Sequence, residues 1–466
     1  MELSGKKMLV LGLGETGLSM AQWITRRGGV VRIADTRDRP PALDTLSATV
    51  PSAEVVTGPF SAMLADEVDA IAVSPGVPLA EPVVAEATRR GVPIMGDIEL
   101  FAQALAEHAR PLVIAITGTN GKSTVTALVG AMCRSAGLDC EVAGNIGPAV
   151  LTALMRRLDA DALPRVWVLE LSSFQLETTY TLEPDVATVL NVTSDHLDRY
   201  PGMTEYAAAK ARIFHGDGVQ VLNRDDRYSM EMARPDREIV TFGLNPPRES
   251  HDFGLVKVFD EYWLTRGMTP LMAVREMRIA GFHNVANALA ALALSRSIDC
   301  RCTQTLPALK TFAGLSHRVE RVAAIDAVDY YDDSKGTNVG AASAALAGFA
   351  RSLEATGGKV VLIAGGEGKQ QDFGPLRTAL LGAARAVVLI GRDAPVIQAA
   401  LAGSGVPVER AGSMSEAVAA AARAARSGDV VLLSPACASF DMFENYQHRG
   451  KVFRAAVEEL SRASAH

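Results

Sequence analysis

The chain has 466 residues, enough for about three domains of ordinary size. Hydrophobic residues make up 48% and charged residues 21%, so the chain can fill several cores and is not a disordered polymer. A net charge of −7 excludes generic binding to nucleic acid or membrane surfaces, both polyanions, and leaves small anions to be held by locally placed cations. With 40 glycines and only 5% aromatics, the composition favours α/β layers joined by tight strand-to-helix turns.

Apolar strand-like runs alternate with helical stretches along most of the chain. The first unit carries runs at 8–14, 30–35, 53–58 and 69–76 and ends near Leu105, followed by a polar linker over 106–111 that ends in Pro. A second unit opens with the run 111–118 and a helix from Lys122, then continues through 165–172 and 186–193. The segment 255–266 fits a hairpin, which predicts an antiparallel edge, and 283–297 reads as a strong helix. A third unit from about Leu315 has its clearest strands at 359–366, 386–391 and 429–435. The five cysteines (133, 140, 300, 302 and 437) are scattered without a Cys-x-x-Cys pair, which predicts reduced thiols and neither a disulfide framework nor a zinc ribbon. No alanine-rich helix is free of charges over a membrane-spanning length, and the N-terminus begins as a strand, so a cytoplasmic protein is expected.

Two glycine-rich turns carry the chemistry. Gly12-Leu-Gly14-Glu-Thr-Gly17 closes the first strand, with Asp35 ending the next and Ser74-Pro75-Gly76 ending another at the same edge. This pattern fits a nucleotide or diphosphate site, and equally a tight turn without ligand; it does not say which nucleotide. The second turn is Thr117-Gly118-Thr119-Asn120-Gly121-Lys122-Ser123-Thr124, between a strand and a helix. Backbone N–H groups and the helix N-terminus suit phosphates, Lys122 adds a point charge, and a hydroxyl suits Mg²⁺. This loop is shorter than the general phosphate loop, because its nearest upstream glycine is Gly118. Glu170, ending a strand expected beside that loop, suits a metal ligand better than a helix cap. His196 follows another strand at the same edge, where a structural and a ligand role are evenly matched. On pattern alone, Lys210 among alanines reads as a solvated helix lysine.

Taken together, GTNGKST, LELSSFQLE, NVTSDHLDRYP, GFHNVANALAALAL, GLSHRVE, DDSKGTN and LLSPACASFD resemble the Mur ligases, ATP-dependent amide ligases of peptidoglycan precursor synthesis, from the first strand to the last helix. The short phosphate loop is the form this family uses. The resemblance implies a Rossmann-like N-terminal domain (1–107), a central P-loop ATPase with a mainly parallel sheet (108–314) and a Rossmann-like C-terminal domain (315–466), in a monomer. It also implies that the first site holds the UDP end of the substrate through Thr16, Asp35, Thr36, Arg37, Ser74, Pro75 and Gly76, with Asn145 contacting substrate from the central domain.

By the same resemblance, ATP is held by Gly118, Thr119, Asn120, Gly121, Lys122, Ser123, Thr124, Asn284, Asn287, Arg318 and Asp333. Two Mg²⁺ ions would use Ser123, Thr124, Glu170, His196 and Lys210, the last carbamylated by CO₂ so that a cation becomes a metal-binding anion. Lys122, His196, Lys210 and Arg318 form the implied catalytic set. Lys335, Thr337, Lys369, Ser439 and Tyr446 match a pocket for D-glutamate, the amino acid joined to UDP-N-acetylmuramoyl-L-alanine. Tyr446 stands where most relatives carry Phe, and Ser316 where a proline is common before His317-Arg318. Competing expectations are another ligase of the superfamily with a different amino acid, a nicotinamide-dependent oxidoreductase read from the first glycine motif, and a non-catalytic nucleotide switch. The second leaves the GKST loop and Glu170 unexplained.

Overall fold

Short, β-branched, buried runs flanked by glycine turns dictate parallel strands covered on both faces by helices. The computed structural model describes residues 2–108, 110–197, 199–354 and 356–464; Met1, Ala109 (within the expected linker), Asp198, Ala355, Ala465 and His466 lie outside the described residues. Three sheets form. The first has five parallel strands in the spatial order Glu54–Thr57, Val30–Asp35, Lys7–Leu11, Ala70–Val73 and Ile94–Met95. Strand order reverses between Lys7–Leu11 and Ala70–Val73, which opens a crevice at their C-terminal ends, where Gly12 and Ser74 stand.

The second sheet has nine strands. Leu112–Thr117 lies between Val166–Glu170 and Val186–Val189, in parallel register with Ile116 opposite Glu170 and Thr117 opposite Val189. At the far edge Phe253–Val258, Glu261–Arg266 and Thr269–Ala273 run antiparallel, as the hairpin pattern predicts. The third sheet has six strands, all parallel except the edge strand Glu320–Ile325. The architecture is therefore three-part α/β with parallel-dominated sheets.

One continuous core joins the first sheet to one face of the second, with Phe101 packed edge-on against Trp167 at 4.9 Å between ring centroids. Buried Glu99 reinforces this junction by accepting hydrogen bonds from the Tyr180 and Thr181 N–H groups at 2.6 and 2.9 Å. The third sheet is filled by separate cores of its own. Its contacts with the second are narrower. The helix Val339–Leu353 packs on Phe282–Ser297, where Arg351 lies over the Phe282 ring at 4.1 Å. Asn338 Nδ2 donates to Asp195 Oδ2 at 2.9 Å across the junction. Among the described residues no helix is long and apolar enough to cross a membrane.

Candidate active site

The phosphate-type loop is built by backbone geometry that only glycine adopts freely. Gly121 sits at φ 85° as the N-cap of Lys122–Ser135, and a Cβ there would meet Asn287 Oδ1 at 2.5 Å. The loop is laced to the segment after Val186–Val189. Asn120 N donates to Asn191 Oδ1 at 2.8 Å, and Asn191 Nδ2 donates back to Asn120 O at 3.0 Å. Thr193 N donates to Thr119 Oγ1 at 3.1 Å. The sequence signal for Asn191 is its place in the NVTSDH run at a strand end, where a side-chain amide can clamp a neighbouring loop.

Two lysines converge on this loop. Lys122 Nζ donates to Gly118 O at 2.8 Å and to Thr119 O at 2.9 Å. Burial lowers its pKa, opposed by nearby Glu170. Lys210 Nζ donates to the same Gly118 carbonyl at 3.0 Å and lies 4.5 Å over the Tyr206 ring. The structure corrects the pattern reading of Lys210: only 1% of it is exposed. The alanines around it let Met203–Ala211 approach closely, and burial, with Lys122 adding repulsion, holds its pKa well below the ordinary lysine value.

Glu170 is buried at the end of its strand. Its Oε1 accepts from Asn145 Nδ2 at 2.7 Å, and its Oε2 is a buried oxygen without a hydrogen-bond partner. A carboxylate oxygen left open in a cavity that also holds Ser123, Thr124 and His196 has the chemistry of a divalent-cation ligand, so these residues fit Mg²⁺. His196, in a left-handed conformation (φ 55°), packs edge-on to Phe174 and faces the same cavity.

That cavity, of about 1310 Å³, lies between the second and third sheets. Asn284 and Asn287 line it on one helix face, bonded to each other at 3.1 Å. From the third sheet Arg318 crosses to donate from Nη2 to Ser123 Oγ at 2.6 Å. Arg318 rides on a strained turn, since its neighbours His317 and Val319 have φ 62° and 51°. His317 Nδ1 pairs with buried Asp332 Oδ2 at 2.7 Å, and Lys335 N donates to His317 O at 3.1 Å, so one prop holds both cationic residues. Lys335 Nζ lies 4.0 Å over the Tyr446 ring, and burial, with Arg318 adding repulsion, lowers its pKa to about 8. Burial raises Asp333 to about 7, although Ser434 Oγ donates to its Oδ2 at 2.7 Å.

Thr337 and Lys369 line the cavity with Lys335 and Tyr446; Ser439 is buried beside it and is not part of its lining. Lys369 holds a left-handed conformation at φ 48°. The sequence signal for Asn338 is its place just before an apolar helix, an N-cap signal; its Oδ1 accepts from Ala341 N at 2.8 Å.

A second cavity of about 560 Å³ lies at the crevice of the first sheet and is lined by Thr16, Asp35, Thr36, Arg37, Ser74, Pro75 and Gly76. Both carboxylate oxygens of Asp35 are engaged: Oδ2 accepts from Leu13 N at 2.7 Å, and Arg37 bonds both oxygens, which lowers its pKa to about 2. Asp35 therefore presents Arg37 at the rim and has little capacity left for a ribose diol. Arg199, whose guanidinium lies 4.2 Å over Phe174, donates to Pro75 O and Val77 O and so fixes the Ser74–Val77 turn against the second sheet. Asn145 and Ile146 line both cavities, making the two parts of one elongated site.

Comparison with protein families matches residues 6–96 to the MurD-like N-terminal domain of Mur ligases, 116–295 to the Mur ligase middle domain and 317–437 to the Mur ligase glutamate ligase domain. The chain belongs to the Mur ligases. Among curated members of this family, a protein named UDP-N-acetylmuramoylalanine–D-glutamate ligase from Nitrosospira multiformis is 56% identical, with 100% of this chain and 98% of that protein aligned. Its namesake from Nitrosomonas europaea is 53% identical over 99% of this chain and 98% of its own length. Among solved Mur ligase structures, UDP-N-acetylmuramate-alanine ligase MurC from Thermotoga maritima aligns with a TM-score of 0.60 at 20% identity, covering 98% of this chain and 100% of that one. MurF from Acinetobacter baumannii aligns with a TM-score of 0.61 at 17% identity, covering 98% and 91%. These two likenesses show that the fold is that of the Mur ligases.

Proposed function

We propose that this Mur ligase joins D-glutamate to UDP-N-acetylmuramoyl-L-alanine at the expense of ATP, in peptidoglycan precursor synthesis. The observation that carries the reading is the single elongated site, in which Asn145 connects the Arg37 crevice to the Lys122 loop and Lys335 and Tyr446 close the far end. Its naming rests on the full-length likeness to the D-glutamate ligases. In this reading residues 1–107 hold the UDP end, 108–314 the ATP and 315–466 the amino acid, in a cytoplasmic monomer.

A carboxylate does not accept an amine at neutral pH because oxide is too poor a leaving group. The substrate carboxylate therefore attacks the γ-phosphorus of ATP, releasing ADP and forming an acyl phosphate. This step needs positioning and charge neutralisation more than covalent help. Lys122 and Arg318 face the transferring phosphoryl group, Asn284 and Asn287 contact the adenine and the phosphates, and Asp333 takes the ribose. The uncharged amine of D-glutamate then attacks the acyl carbon, a tetrahedral intermediate forms, and phosphate leaves. The cations placed for the γ-phosphate also stabilise that anionic intermediate. Two Mg²⁺ ions, held by Ser123, Thr124, Glu170, His196 and a carbamylated Lys210, would supply further neutralisation of phosphate charge. Burial, with the Lys122 charge adding repulsion, favours the uncharged Lys210 amine that reacts with CO₂. As a metal ligand, His196 is not the base that deprotonates the incoming amine.

The deciding experiment measures phosphate release from ATP and UDP-N-acetylmuramoyl-L-alanine with a panel of amino acids. D-glutamate alone is expected to stimulate; stimulation by a different amino acid and none by D-glutamate would overturn the substrate assignment.

Lys335 adds a pH signature. Its pKa is lowered to about 8, so it carries the charge that attracts a glutamate carboxylate below that pH and loses it as pH rises. The KM for D-glutamate is expected to climb above pH 8 in the wild type. In Lys335→Met it should be high at all pH values and flat across this range. A wild-type KM that stays flat from pH 7 to about 9.5 would remove Lys335 from the carboxylate site.

A further inference from the structure

Arg449 is fully buried in the first turn of Tyr446–Ser464 and does not line the cavity. Its donors point two ways. Nε donates to Ser334 Oγ at 3.0 Å and Nη2 to Ser334 O at 2.8 Å. Nη1 donates to Cys437 O at 3.0 Å and Ala438 O at 3.3 Å. Ser334 precedes Lys335, and Ala438 precedes Ser439. Ser334 Oγ also donates to Tyr446 O at 2.8 Å, which returns the network to the aromatic ring beneath the Lys335 ammonium.

We propose that Arg449 is the positioning residue of the amino-acid pocket: one guanidinium fixes the spacing between the segment bearing Lys335 and the segment bearing Ser439, and so the geometry in which D-glutamate is held. This rests on the pocket assignment above and deepens it. A planar fork with donors on separate edges can span two chain segments, whereas an ammonium on a flexible stem is a single point and cannot. Burial pulls the Arg449 pKa down to about 10, which still leaves it charged at neutral pH. The cation is solvated by carbonyl and hydroxyl oxygens and sits in the field of Asp332, Asp333 and Asp441. Such a site is expensive to build for packing alone, and its hydrogen bonds end on Ser334, next to the cavity residue Lys335, and on Cys437 and Ala438, two and one residues before Ser439. The next residue continues the role: a Cβ on Gly450 would overlap the His317 ring and Asp332, the prop under Arg318.

The test compares KM values for D-glutamate, ATP and UDP-N-acetylmuramoyl-L-alanine, together with Tm, in Arg449→Lys and Ser334→Ala. Both variants are expected to raise the D-glutamate KM about tenfold, the size of one or two lost charge-assisted hydrogen bonds, with the other two KM values within about twofold of wild type. Equal shifts in all three, or a fall in kcat alone, would overturn the proposal. If Arg449→Lys does not fold, Ser334→Ala decides under the same criteria. Lys335→Ala and Thr337→Ala run in parallel and separate the two ideas. If they leave the D-glutamate KM unchanged while the Arg449 and Ser334 variants raise it, the assignment of those pocket residues fails and the role of Arg449 stands. If they raise it and the other two do not, Arg449 is structural only.

Discussion

Replacing Lys210 with Ala is expected to reduce turnover by about 10³-fold or more, and short carboxylic acids such as formate, acetate or propionate are expected to restore part of it. The size follows from removing a preorganised charge in a desolvated site. The rescue follows from what the residue contributes. As an ammonium, Lys210 would add a second positive charge beside Lys122, against its burial and against the proposed Mg²⁺ site. As a carbamate it would reverse that charge with only a few added atoms. The Ala variant leaves a void next to Gly118 O that a small carboxylate can enter. Wild-type activity should also fall when dissolved CO₂ is stripped and return when bicarbonate is added. Full activity in the unrescued variant would remove the carbamate. A dead variant that no acid rescues, with wild-type activity indifferent to CO₂, would reduce Lys210 to a packing residue.

Lys210 also marks where sequence reading stops. The strand ending at Glu170, the glycine loop before Lys122 and the hairpin near residues 255–266 are local patterns: a continuous apolar run, a turn residue, an alternation. They survive into the structure because each is decided within a few residues. Burial of a lysine is decided elsewhere, by the phosphate loop that lies some ninety positions earlier in the chain and happens to fill the space over one helix face. Arg449 was hidden for the same reason. In QHRG it reads as a polar residue on an amphipathic helix, and only the meeting of three distant segments makes it a bridge. Short strands such as Cys140–Gly144 and Val328–Asp332 carry Glu141, Asp329 and Asp332 among few apolar residues, so no continuous apolar run announces them. The resemblance supplied what periodicity could not, the expected roles of Asn145, Arg318 and Lys335. The structure adds what the resemblance could not, that Asn145 touches both cavities and that Asp332 and His317 prop the turn beneath Arg318.

Two of the contacts between the third sheet and the second, Arg318 on Ser123 and Asn338 on Asp195, end beside the phosphate loop. The other two parts share a core and are expected to move as one body, so the third part is the one expected to swing. Binding of ATP would then be coupled to closure through the same arginine that serves the chemistry.

Arg318→Ala is accordingly expected to lower kcat by about 10³-fold, the range for removing an arginine that meets a transferring phosphoryl group. The KM for UDP-N-acetylmuramoyl-L-alanine should change little, because the Arg37 crevice lies outside its reach. Lys in its place should recover only a small part, since a single ammonium on a shorter side chain cannot reach both Ser123 and the phosphate from a turn fixed by His317 and Val319. Small-angle scattering gives a second readout. With an ATP analogue and UDP-substrate the wild type should become more compact than it is alone, and Arg318→Ala should respond less. Closure undiminished in the variant together with a lost kcat would assign Arg318 to the phosphoryl group alone. Retained kcat would remove it from the reacting centre. Identical wild-type profiles with and without ligands would mean that the third part does not swing, and that the cavity between the sheets is already the reacting geometry.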